Sequence, residues 1–367
     1  MAMRRLPSLF LIALVLAVLD GFQCVLGARQ HVEERLIGWQ GEQYSAFDQP
    51  SNPDIGDGSL WSADESVRPG WIQTISWKPR AFIYHNFLSD REVRHIIDLA
   101  HGQMKRSQVV GHKDDGVVDD IRTSYGTFLK RNQDPVIAAI EKRLALWSAL
   151  PVSHQEDMQV LRYGPTNKYG PHIDGLGRVA TVLMYLVEPD HGGETAFINS
   201  RWGHPELAAE AERTNFSQCA RGHVAYKPKR GDALLFFDTK PDYTTTDETS
   251  MHTGCPVVEG VKWNAVKWLH GVPFRPEDYE KALKEPYVPL PDPGVCTNLH
   301  EMCETWAKEG ECKNNPGYMI GDGDGQGTCR LACNDCEPCA DGDAECYRRN
   351  RASGGYLNLN ESELKGV

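Results

Sequence analysis

The chain has 367 residues, of which 40% are apolar, and its formal net charge is −12 at pH 7. This length is sufficient for one sizeable core and a small accessory unit. The negative charge argues against a nucleic-acid partner and is compatible with neutral or basic polypeptide substrates, but it does not specify an oligomeric state.

Residues 1–28 have the layout of a secretory signal. Two arginines precede an apolar run from Leu6 to Leu19, and small residues follow it. The run is shorter than the ~20 residues of a membrane-spanning helix, which favours a cleaved signal peptide. An uncleaved signal anchor that continues to Leu26 is the alternative. Both predict the secretory pathway, either in the endoplasmic reticulum lumen or as a single-pass type II membrane protein, with the Golgi as a further destination.

The cysteine content agrees with this destination. The chain has 11 cysteines, and thiols in such numbers pair in an oxidising lumen, whereas the cytosol keeps them reduced. Two N-glycosylation sequons, at Asn215 and Asn360, are compatible with a secreted glycoprotein.

Residues 29–74 are polar, rich in glycine and proline, and without a sustained period, so we interpret them as an irregular lead-in segment. Order begins with a predicted edge strand over 75–84 that Pro79 bounds. Ser89 and Glu92 form a capping-box pattern, which predicts a helix over about 90–104.

A second helix is predicted to begin after Asp134, with Pro135 in its first turn. Apolar residues then recur on one side of this helix, which indicates that it packs on a sheet. They are Val136, Ile137, Ile140, Leu144 and Trp147.

Residues 160–274 change to short β-type runs separated by turn residues. This spacing is typical of a sandwich or jelly roll and not of a parallel sheet. Since helices come first and strands follow, we predict an α+β chain. Residues 200–221 are predicted to be a surface insertion, and 238–253 a mobile loop that acts as a lid. The predicted strands cover 159–163, 178–188, 194–198, 222–227, 232–237 and 263–272.

The C-terminal part is predicted to be a separate unit. Residues 276–295 contain five prolines and indicate a stiff, extended linker. Six cysteines then fall within 296–336, a length that needs disulfides to be stable and allows 15 connectivities. Residues 337–367 form a tail, in which Cys339 and Cys346 are left to pair with each other.

His172, Asp174 and the distant His252 offer two imidazoles and one carboxylate. This is the ligand set of the facial triad that binds non-haem Fe(II) and leaves open positions for oxygen. On a strand, His172 and Asp174 point to the same face, and His252 must come from another strand. The alternative for the His-x-Asp pair is a solvated loop without function.

Such an iron site needs a co-substrate that supplies two electrons, and 2-oxoglutarate does so if a cation binds its far carboxylate. Lys262 lies at the approach to the last long strand, where its ammonium can reach into a barrel. A buried lysine needs a charged partner, and this carboxylate is one. An exposed lysine at a strand end is the alternative.

Several motifs in the same order over about 75–275 resemble the plant and algal prolyl 4-hydroxylases. They are ISWKPRAFIYHNFLS at 75–89, Arg122-Thr123-Ser124, Tyr163, His172-Ile173-Asp174, Gly192-Gly193-Glu194-Thr195, KRGDALLFF at 229–237, and His252 followed by Lys262-Trp263. The resemblance implies a double-stranded β-helix, or jelly roll, as the catalytic domain at 75–275, with helices that support it from the N-terminal side.

The resemblance also implies roles for individual residues. The iron ligands are His172, Asp174 and His252, and Lys262 binds 2-oxoglutarate with help from the Tyr163 hydroxyl. Arg122 and Ser124 contact the peptide, and Trp268 lies near the site. Core packing is the alternative for Tyr163 and Trp268, and a solvated charge for Arg122.

The implied reaction is that of a procollagen-proline 4-dioxygenase. It hydroxylates C4 of peptidyl proline with O2 and 2-oxoglutarate, releases succinate and carbon dioxide, and uses ascorbate to restore the iron. Proline-rich secretory proteins, above all hydroxyproline-rich glycoproteins, are the expected substrates. The alternatives are another 2-oxoglutarate-dependent peptidyl hydroxylase, such as one acting on lysine, and a non-catalytic binding protein that acts through its C-terminal module.

The cysteines extend the resemblance. Cys219 and Cys255 correspond to a disulfide that braces the wall of the site. The module at 296–336 resembles the ShK toxin domain (ShKT), whose pairing implies the disulfides Cys296–Cys336, Cys303–Cys329 and Cys312–Cys333.

Overall fold

The structure is a computed structural model that describes residues 70–107, 109–110, 116–117, 120–175, 177–321, 325–360 and 363–364. All of these residues belong to one compact unit, Tyr44–Val367. The predicted signal at 1–28 and nearly all of the lead-in segment lie outside the described residues.

Two antiparallel sheets dominate this unit. The larger sheet has nine strands in the order β12-β1-β2-β14-β9-β17-β7-β6-β3, and the smaller has four in the order β13-β11-β15-β8. The strands are β1 (Trp71–Lys78), β2 (Arg80–His85), β3 (Lys105–Arg106), β4 (Val109–Val110), β5 (Gly116–Val117), β6 (Tyr125–Leu129), β7 (Met158–Tyr163), β8 (Tyr169–His172), β9 (Arg178–Val187), β10 (His191–Gly192), β11 (Thr195–Phe197), β12 (Arg201–Trp202), β13 (Val224–Tyr226), β14 (Ala233–Phe237), β15 (His252–Gly254), β16 (Val257–Glu259) and β17 (Lys262–His270).

Among the described residues, two α-helices precede the strands of the smaller sheet, one lies between β11 and β13, and five occur in the C-terminal part. They are α1 (Asp90–Ala100), α2 (Pro135–Ser148), α3 (Pro205–Arg213), α4 (Pro276–Lys284), α5 (Cys303–Lys308), α6 (Glu311–Asn314), α7 (Pro316–Met319) and α8 (Ala344–Ser353). The predicted α+β order of elements is therefore present, and the predicted strands between 159 and 272 all correspond to observed strands, with ends that differ by one or two residues.

The predicted edge strand over 75–84 is wrong, because the chain turns back on itself there. β1 and β2 form an antiparallel hairpin around Pro79, whose peptide bond to Lys78 is cis. Proline has no N–H to donate to a ladder, so the turn is its natural place. β2 pairs with β14 on its other side and is an interior strand.

The first two helices follow their sequence signals. The Ser89 hydroxyl accepts a hydrogen bond from the Glu92 backbone N–H, and the Glu92 carboxylate accepts one from the Ser89 N–H. The predicted capping box is therefore present at the N-terminus of α1. The helix ends at Ala100 and continues as a single 3-10 turn over His101–Gln103. Asp134 caps α2, which buries Ile137, Ile140 and Leu144 on the predicted side.

The core lies between the two sheets. Apolar side chains from the large sheet meet side chains from β11 and β13 of the small sheet, and this packing holds the two layers face to face. The cluster consists of Ile75, Ala81, Ile83, Tyr185, Phe197, Val224, Leu234 and Phe236.

Two predicted loops have more structure than the sequence suggested. The segment 200–221 contains β12 and α3, and it buries Phe216 and Ala220 against Cys255. The lid predicted over 238–253 does not carry the third ligand on a loop, because His252 begins β15, which pairs with β11 and β8. A histidine in the interior of a sheet is held more firmly than one on a loop.

The C-terminal part begins with a helix. α4 occupies the first half of 276–295, and extended chain follows from Glu285. The described residues contain five disulfides, and they include the four that the resemblance implied. The pairs are Cys219–Cys255, Cys296–Cys336, Cys303–Cys329, Cys312–Cys333 and Cys339–Cys346. The division of this part into linker, module and tail stays a prediction.

Within the ranges that the structure describes, no helix combines the length and the apolar character needed to cross a membrane.

A buried ion pair fastens α2 to the large sheet. The Lys267 ammonium lies 2.7 Å from the Glu141 carboxylate, and the two side chains are 0% and 1% exposed. We expect Glu141→Ala to lower the free energy of unfolding by about 3–5 kcal/mol, because it leaves a buried ammonium without its counter-ion. Denaturant unfolding with intact disulfides measures the change.

The matched control for this prediction is Glu280→Ala. Glu280 pairs with Lys284 at 3.2 Å, but both side chains are largely exposed. Exposed pairs contribute at most about 1 kcal/mol. Equal losses in the two variants would contradict the stabilising role of the buried pair.

Candidate metal centre and co-substrate pocket

The pairing of β8 with β15 brings the two predicted histidine ligands together. His172 lies directly opposite His252 in the ladder, and their ring centroids are 4.2 Å apart. The prediction that Asp174 lies on the same strand as His172 is wrong, because Asp174 comes two residues after the end of β8. Its carboxylate still turns to the same point, 3.6 Å from Nε2 of His172 and 3.9 Å from Nε2 of His252.

Backbone carbonyls orient both imidazoles. His172 Nδ1 lies 2.9 Å from the Gly170 oxygen, and His252 Nδ1 lies 3.0 Å from the Ser250 oxygen. A carbonyl only accepts, so each Nδ1 carries the proton and each Nε2 presents a lone pair. Burial, together with the nearby His172, lowers the pKa of His252 to about 4, so its imidazole is neutral at pH 7.

Two further residues support the aspartate. The Thr181 hydroxyl donates to Asp174 at 2.7 Å and lies 3.0 Å from the Asp238 carboxyl. The Thr181 hydroxyl is thus shared between the two carboxyl groups. Burial and the charge of Asp174 raise the pKa of Asp238 well above its ordinary value.

Asp174 is ionised. Burial acts to raise its pKa, but its contacts with His172 and His252 and the hydrogen bond that it accepts from the Thr181 hydroxyl outweigh burial and hold the pKa below its ordinary value. The cluster is therefore ready to bind a cation without releasing a proton.

The donor set fits a divalent metal ion. The three donor atoms of His172, Asp174 and His252 lie within 4.8 Å of one another. Both separations from the carboxylate are below the roughly 4.2 Å that two ligands of one ion can span at bond lengths of about 2.1 Å. Two neutral imidazoles and one carboxylate on one side of a pocket are the set that suits non-haem Fe(II).

Lys262 and Tyr163 form a cross-strand pair between β17 and β7 in the same pocket. Lys262 is 4% exposed, which excludes the exposed strand-end alternative. Its ammonium donates to the Gly193 carbonyl at 2.8 Å, and burial lowers its pKa to about 8. Gly193 has φ of +69°, and a Cβ there would lie 3.3 Å from Lys262 Cδ, so glycine suits the close approach.

Arg122 is buried and lines the pocket, so it is not a solvated charge. Its guanidinium donates to Gln159 at 2.7 Å and lies 4.8 Å from the centre of the Tyr169 ring. Ser124 is fully buried, donates to Ser107 at 2.9 Å, and does not itself line the pocket. Burial raises the pKa of the Tyr163 hydroxyl, and the neighbouring Arg122 and Ser124 act to lower it.

Alternate residues of β17 face the pocket, and sequence analysis missed two of them, Asn264 and Val266. Lys262, Asn264, Val266 and Trp268 all line it. The period of two that follows Lys262 on a strand was the available signal for Asn264. In the described part of the chain, the buried Asn264 Oδ1 and Trp268 Nε1 have no hydrogen-bond partner. Both atoms are free to bind a ligand.

A charged cluster adjoins Trp268, and sequence analysis did not find it. The Arg178 guanidinium lies 3.8 Å from the centre of the indole ring and donates to Glu156 at 2.7 Å. His270 Nε2 lies 2.8 Å from the same carboxylate. Burial opposes ionisation of Glu156, but its hydrogen bonds with His270 and Arg178 lower the pKa below the ordinary value.

The predicted bracing disulfide lies next to Glu194. Cys255 donates its backbone N–H to the Glu194 carbonyl at 2.8 Å, and Ser217 donates twice to the Glu194 carboxylate, at 2.8 and 2.7 Å. Together with the Cys219–Cys255 bond, these contacts fasten residues 217–219 to the end of β15.

The chain is similar to known proteins. Residues 158–270 match the sequence profile of the 2OG-Fe(II) oxygenase superfamily. Probable prolyl 4-hydroxylase 6 from Arabidopsis thaliana is 42% identical over 283 residues, which cover 74% of this chain and 91% of that protein. Prolyl 4-hydroxylase 2 from the same plant is 40% identical over 286 residues, which cover 75% and 91%. The chain belongs to the prolyl 4-hydroxylase family.

A solved structure of a viral collagen prolyl hydroxylase from Paramecium Bursaria Chlorella virus-1, in complex with 2OG, is 25% identical. It aligns with a TM-score of 0.38 over 52% of this chain and 96% of that chain. Membership of the prolyl 4-hydroxylase family makes the protein an enzyme, a dioxygenase that uses Fe(II) and 2-oxoglutarate.

For a prolyl 4-hydroxylase with this triad, we expect His172→Ala, Asp174→Ala and His252→Ala each to reduce 2-oxoglutarate turnover by at least about 100-fold, because each removes an iron ligand. Succinate release and the iron content of the reconstituted protein measure the effect. His223→Ala, which lies outside the pocket, is the control. Full turnover and full iron content in any one triad variant would contradict the assignment.

Proposed function

We propose that the protein hydroxylates C4 of peptidyl proline in secretory proteins, with O2 and 2-oxoglutarate as co-substrates. The single observation that carries the proposal is the convergence of the His172–Asp174–His252 cluster and buried Lys262 in one pocket. A non-catalytic binding protein has no need to keep three donor atoms in register or to bury an ammonium. The prolyl 4-hydroxylases among its relatives favour proline over lysine as the substrate residue.

Lys262 is proposed to bind the far carboxylate of 2-oxoglutarate. Its ammonium has a neutral carbonyl as its hydrogen-bond partner, so an anionic ligand would supply the counter-charge that burial requires. Tyr163 lies opposite Lys262, and we assign its hydroxyl to the same carboxylate. Asn264 Oδ1, two residues along β17, is an additional candidate contact for bound water or a ligand.

His172, Asp174 and His252 would hold Fe(II) through Nε2, a carboxylate oxygen and Nε2. When bound, this ion supplies the activation of O2 that couples oxidative decarboxylation of 2-oxoglutarate to hydroxylation of a C–H bond. Thr181 keeps the Asp174 carboxylate turned to the ion, and Asp238 keeps Thr181 oriented. The walls of the pocket exclude water through Leu161, Leu183 and Val266.

The peptide is proposed to enter between Arg122 and Trp268. Arg122 presents a cation beside Tyr169, and Trp268 presents an apolar ring with an indole N–H that has no partner among the described residues. Aromatic faces suit the proline ring, and N–H donors suit the carbonyls of an extended proline-rich chain, which lacks internal hydrogen bonds. Ser124 acts on the peptide through Tyr163 in this proposal.

Further parts of the proposal concern the rest of the chain. The two packed sheets are proposed to be the double-stranded β-helix, and residues 296–336 to be an ShK-like module, since their three disulfides have the expected pairing. Five disulfides support the secretory pathway, in the lumen or as a type II membrane protein. Asn215 and Asn360 are exposed and are proposed glycosylation sites. Ascorbate is the proposed reductant.

Mass spectrometry of peptides tests the proposed function. The purified protein with Fe(II), 2-oxoglutarate and ascorbate is incubated with poly(L-proline), a collagen-like peptide, and a lysine peptide without proline. We expect one added oxygen atom per modified proline, with 4-hydroxyproline in the hydrolysate, and greater turnover of poly(L-proline). Oxygen on lysine alone, or succinate release that no peptide stimulates, would contradict it.

The pKa of Lys262 predicts a pH dependence for co-substrate binding. Lys262 carries its charge below a pKa of about 8 and loses it as the pH rises through that value. We therefore expect KM for 2-oxoglutarate to be flat below about pH 8 and to rise above it. In Lys262→Arg the guanidinium stays charged, so KM should not rise between neutral and mildly alkaline pH. An equal rise in both proteins would exclude Lys262 as its cause.

A further inference from the structure

The last described residues return to the catalytic sheets. We call residues 354–360 and 363–364 the C-terminal arm. Tyr356 forms an antiparallel bridge with Lys105 of β3, and the Leu357 N–H donates to the Met104 carbonyl at 2.8 Å. Tyr356 is 5% exposed, and the Lys105 ammonium lies 4.6 Å from the centre of its ring. The arm is therefore attached to the edge of the large sheet.

Farther along the arm, Glu363 contacts two strands at once. Arg162 of β7 donates to its carboxylate through Nε at 2.7 Å and Nη2 at 2.8 Å, in a bidentate pair. Trp263 of β17 donates its indole N–H to the same carboxylate at 3.1 Å. The Arg162 and Glu363 side chains are 14% and 18% exposed, and Trp263 is 0% exposed. This carboxylate accepts hydrogen bonds from a guanidinium and from a buried indole N–H. We therefore expect the contact to be stronger than an exposed surface ion pair.

The position of these contacts relates them to the co-substrate pocket. Arg162 and Trp263 are cross-strand partners, and the next pair along the same ladder is Tyr163 and Lys262. Successive side chains on a strand point to opposite faces. Glu363 thus binds the pair on one face, immediately beside the pair that lines the pocket on the other face.

Tyr163 and Lys262 are the last pair at one end of the β7–β17 ladder. Tyr163 is the last residue of β7, and Lys262 is the first residue of β17. β9, on the other side of β17, begins its pairing with Trp263 and does not reach Lys262. The ends of ladders open more easily than their centres. A contact that joins the two strands one residue inward limits this opening.

We propose that Glu363 is a positioning residue for 2-oxoglutarate binding, which holds the end of the β7–β17 ladder at the separation where Lys262 and Tyr163 meet the co-substrate. The inference rests on the proposed role of those two residues. In this proposal the C-terminal arm affects co-substrate binding indirectly. Its contacts described above are with Lys105, Met104, Arg162 and Trp263, which do not line the pocket.

The test compares Glu363→Gln with Glu337→Gln. Glu337 binds Arg349 at 2.6 Å in an exposed pair within the C-terminal part, so this control makes the same chemical change away from both strands. We expect Glu363→Gln to raise KM for 2-oxoglutarate about five- to tenfold, with kcat and the peptide KM changed less than about twofold. Glu363→Asp, which keeps the charge, should recover part of the affinity.

A purely structural role makes a different prediction. If the arm only stabilises the fold, the apparent kcat falls with the fraction of folded protein, which thermal unfolding of each variant measures, and both KM values stay unchanged. An unchanged KM for 2-oxoglutarate in Glu363→Gln would therefore overturn the proposal. Arg162→Gln should reproduce the effect, and the double variant should add little to it, because the two residues act as one unit.

A direct measurement of 2-oxoglutarate binding distinguishes a failure of this inference from a failure of the proposed function. Calorimetry of 2-oxoglutarate with protein loaded with Mn²⁺ needs no peptide and no turnover. If the wild-type protein hydroxylates proline and the variants bind 2-oxoglutarate equally well, the proposed function stands and the role of Glu363 is wrong. If the wild type fails on every proline peptide but Glu363→Gln still weakens binding, the role of Glu363 stands alone.

Discussion

A slip of one residue between β8 and β15 would turn His172 and His252 to opposite faces of the sheet and leave Asp174 without a second imidazole. The site therefore depends on this register. Thr253 secures it by donating its hydroxyl to the Tyr169 carbonyl at 2.8 Å, and the Tyr169 ring stacks on His172 at 3.8 Å. The Cys219–Cys255 disulfide holds the other end of β15, so a short strand keeps a single alignment.

Burial and hydrogen bonding together shift the pKa of the groups in the site before any ligand binds. The contacts of Asp174 with Thr181 and the two imidazoles outweigh its desolvation and hold its pKa below the ordinary value, whereas burial raises the pKa of Asp238, which shares Thr181 with it. Lys262 is desolvated and donates to a carbonyl. Desolvating a cation in this way costs stability. In the proposed function, the carboxylate of the co-substrate would offset that cost.

Local signals predicted local structure well. Ser89 with Glu92, and Asp134 with Pro135, located two helices because caps act within a few residues. The triad and Lys262 were predicted from residue types together with the resemblance to prolyl 4-hydroxylases, and the fold brings the four side chains into one pocket. The Thr181–Asp238 support and the Glu156–Arg178–His270 cluster were missed, because their members come from separate strands and only the folded sheets bring them together. The hairpin at Pro79 was missed because a proline that bounds one strand has the same sequence signal as a proline between two.

The proposed role of Glu363 requires that the C-terminal part be anchored to the catalytic sheets. Arg330 is 1% exposed and donates to the carbonyls of Pro293 and Asn350, which ties the linker to the base of α8. Arg351, on the same helix, pairs with Asp292 and donates to the Gly102 carbonyl at 2.8 Å. The arm thus starts from a fixed point beside β3. A segment that is anchored at one end loses less conformational entropy on docking than a free tail. This anchoring lowers the cost of placing Glu363 against β7 and β17 in the proposed role.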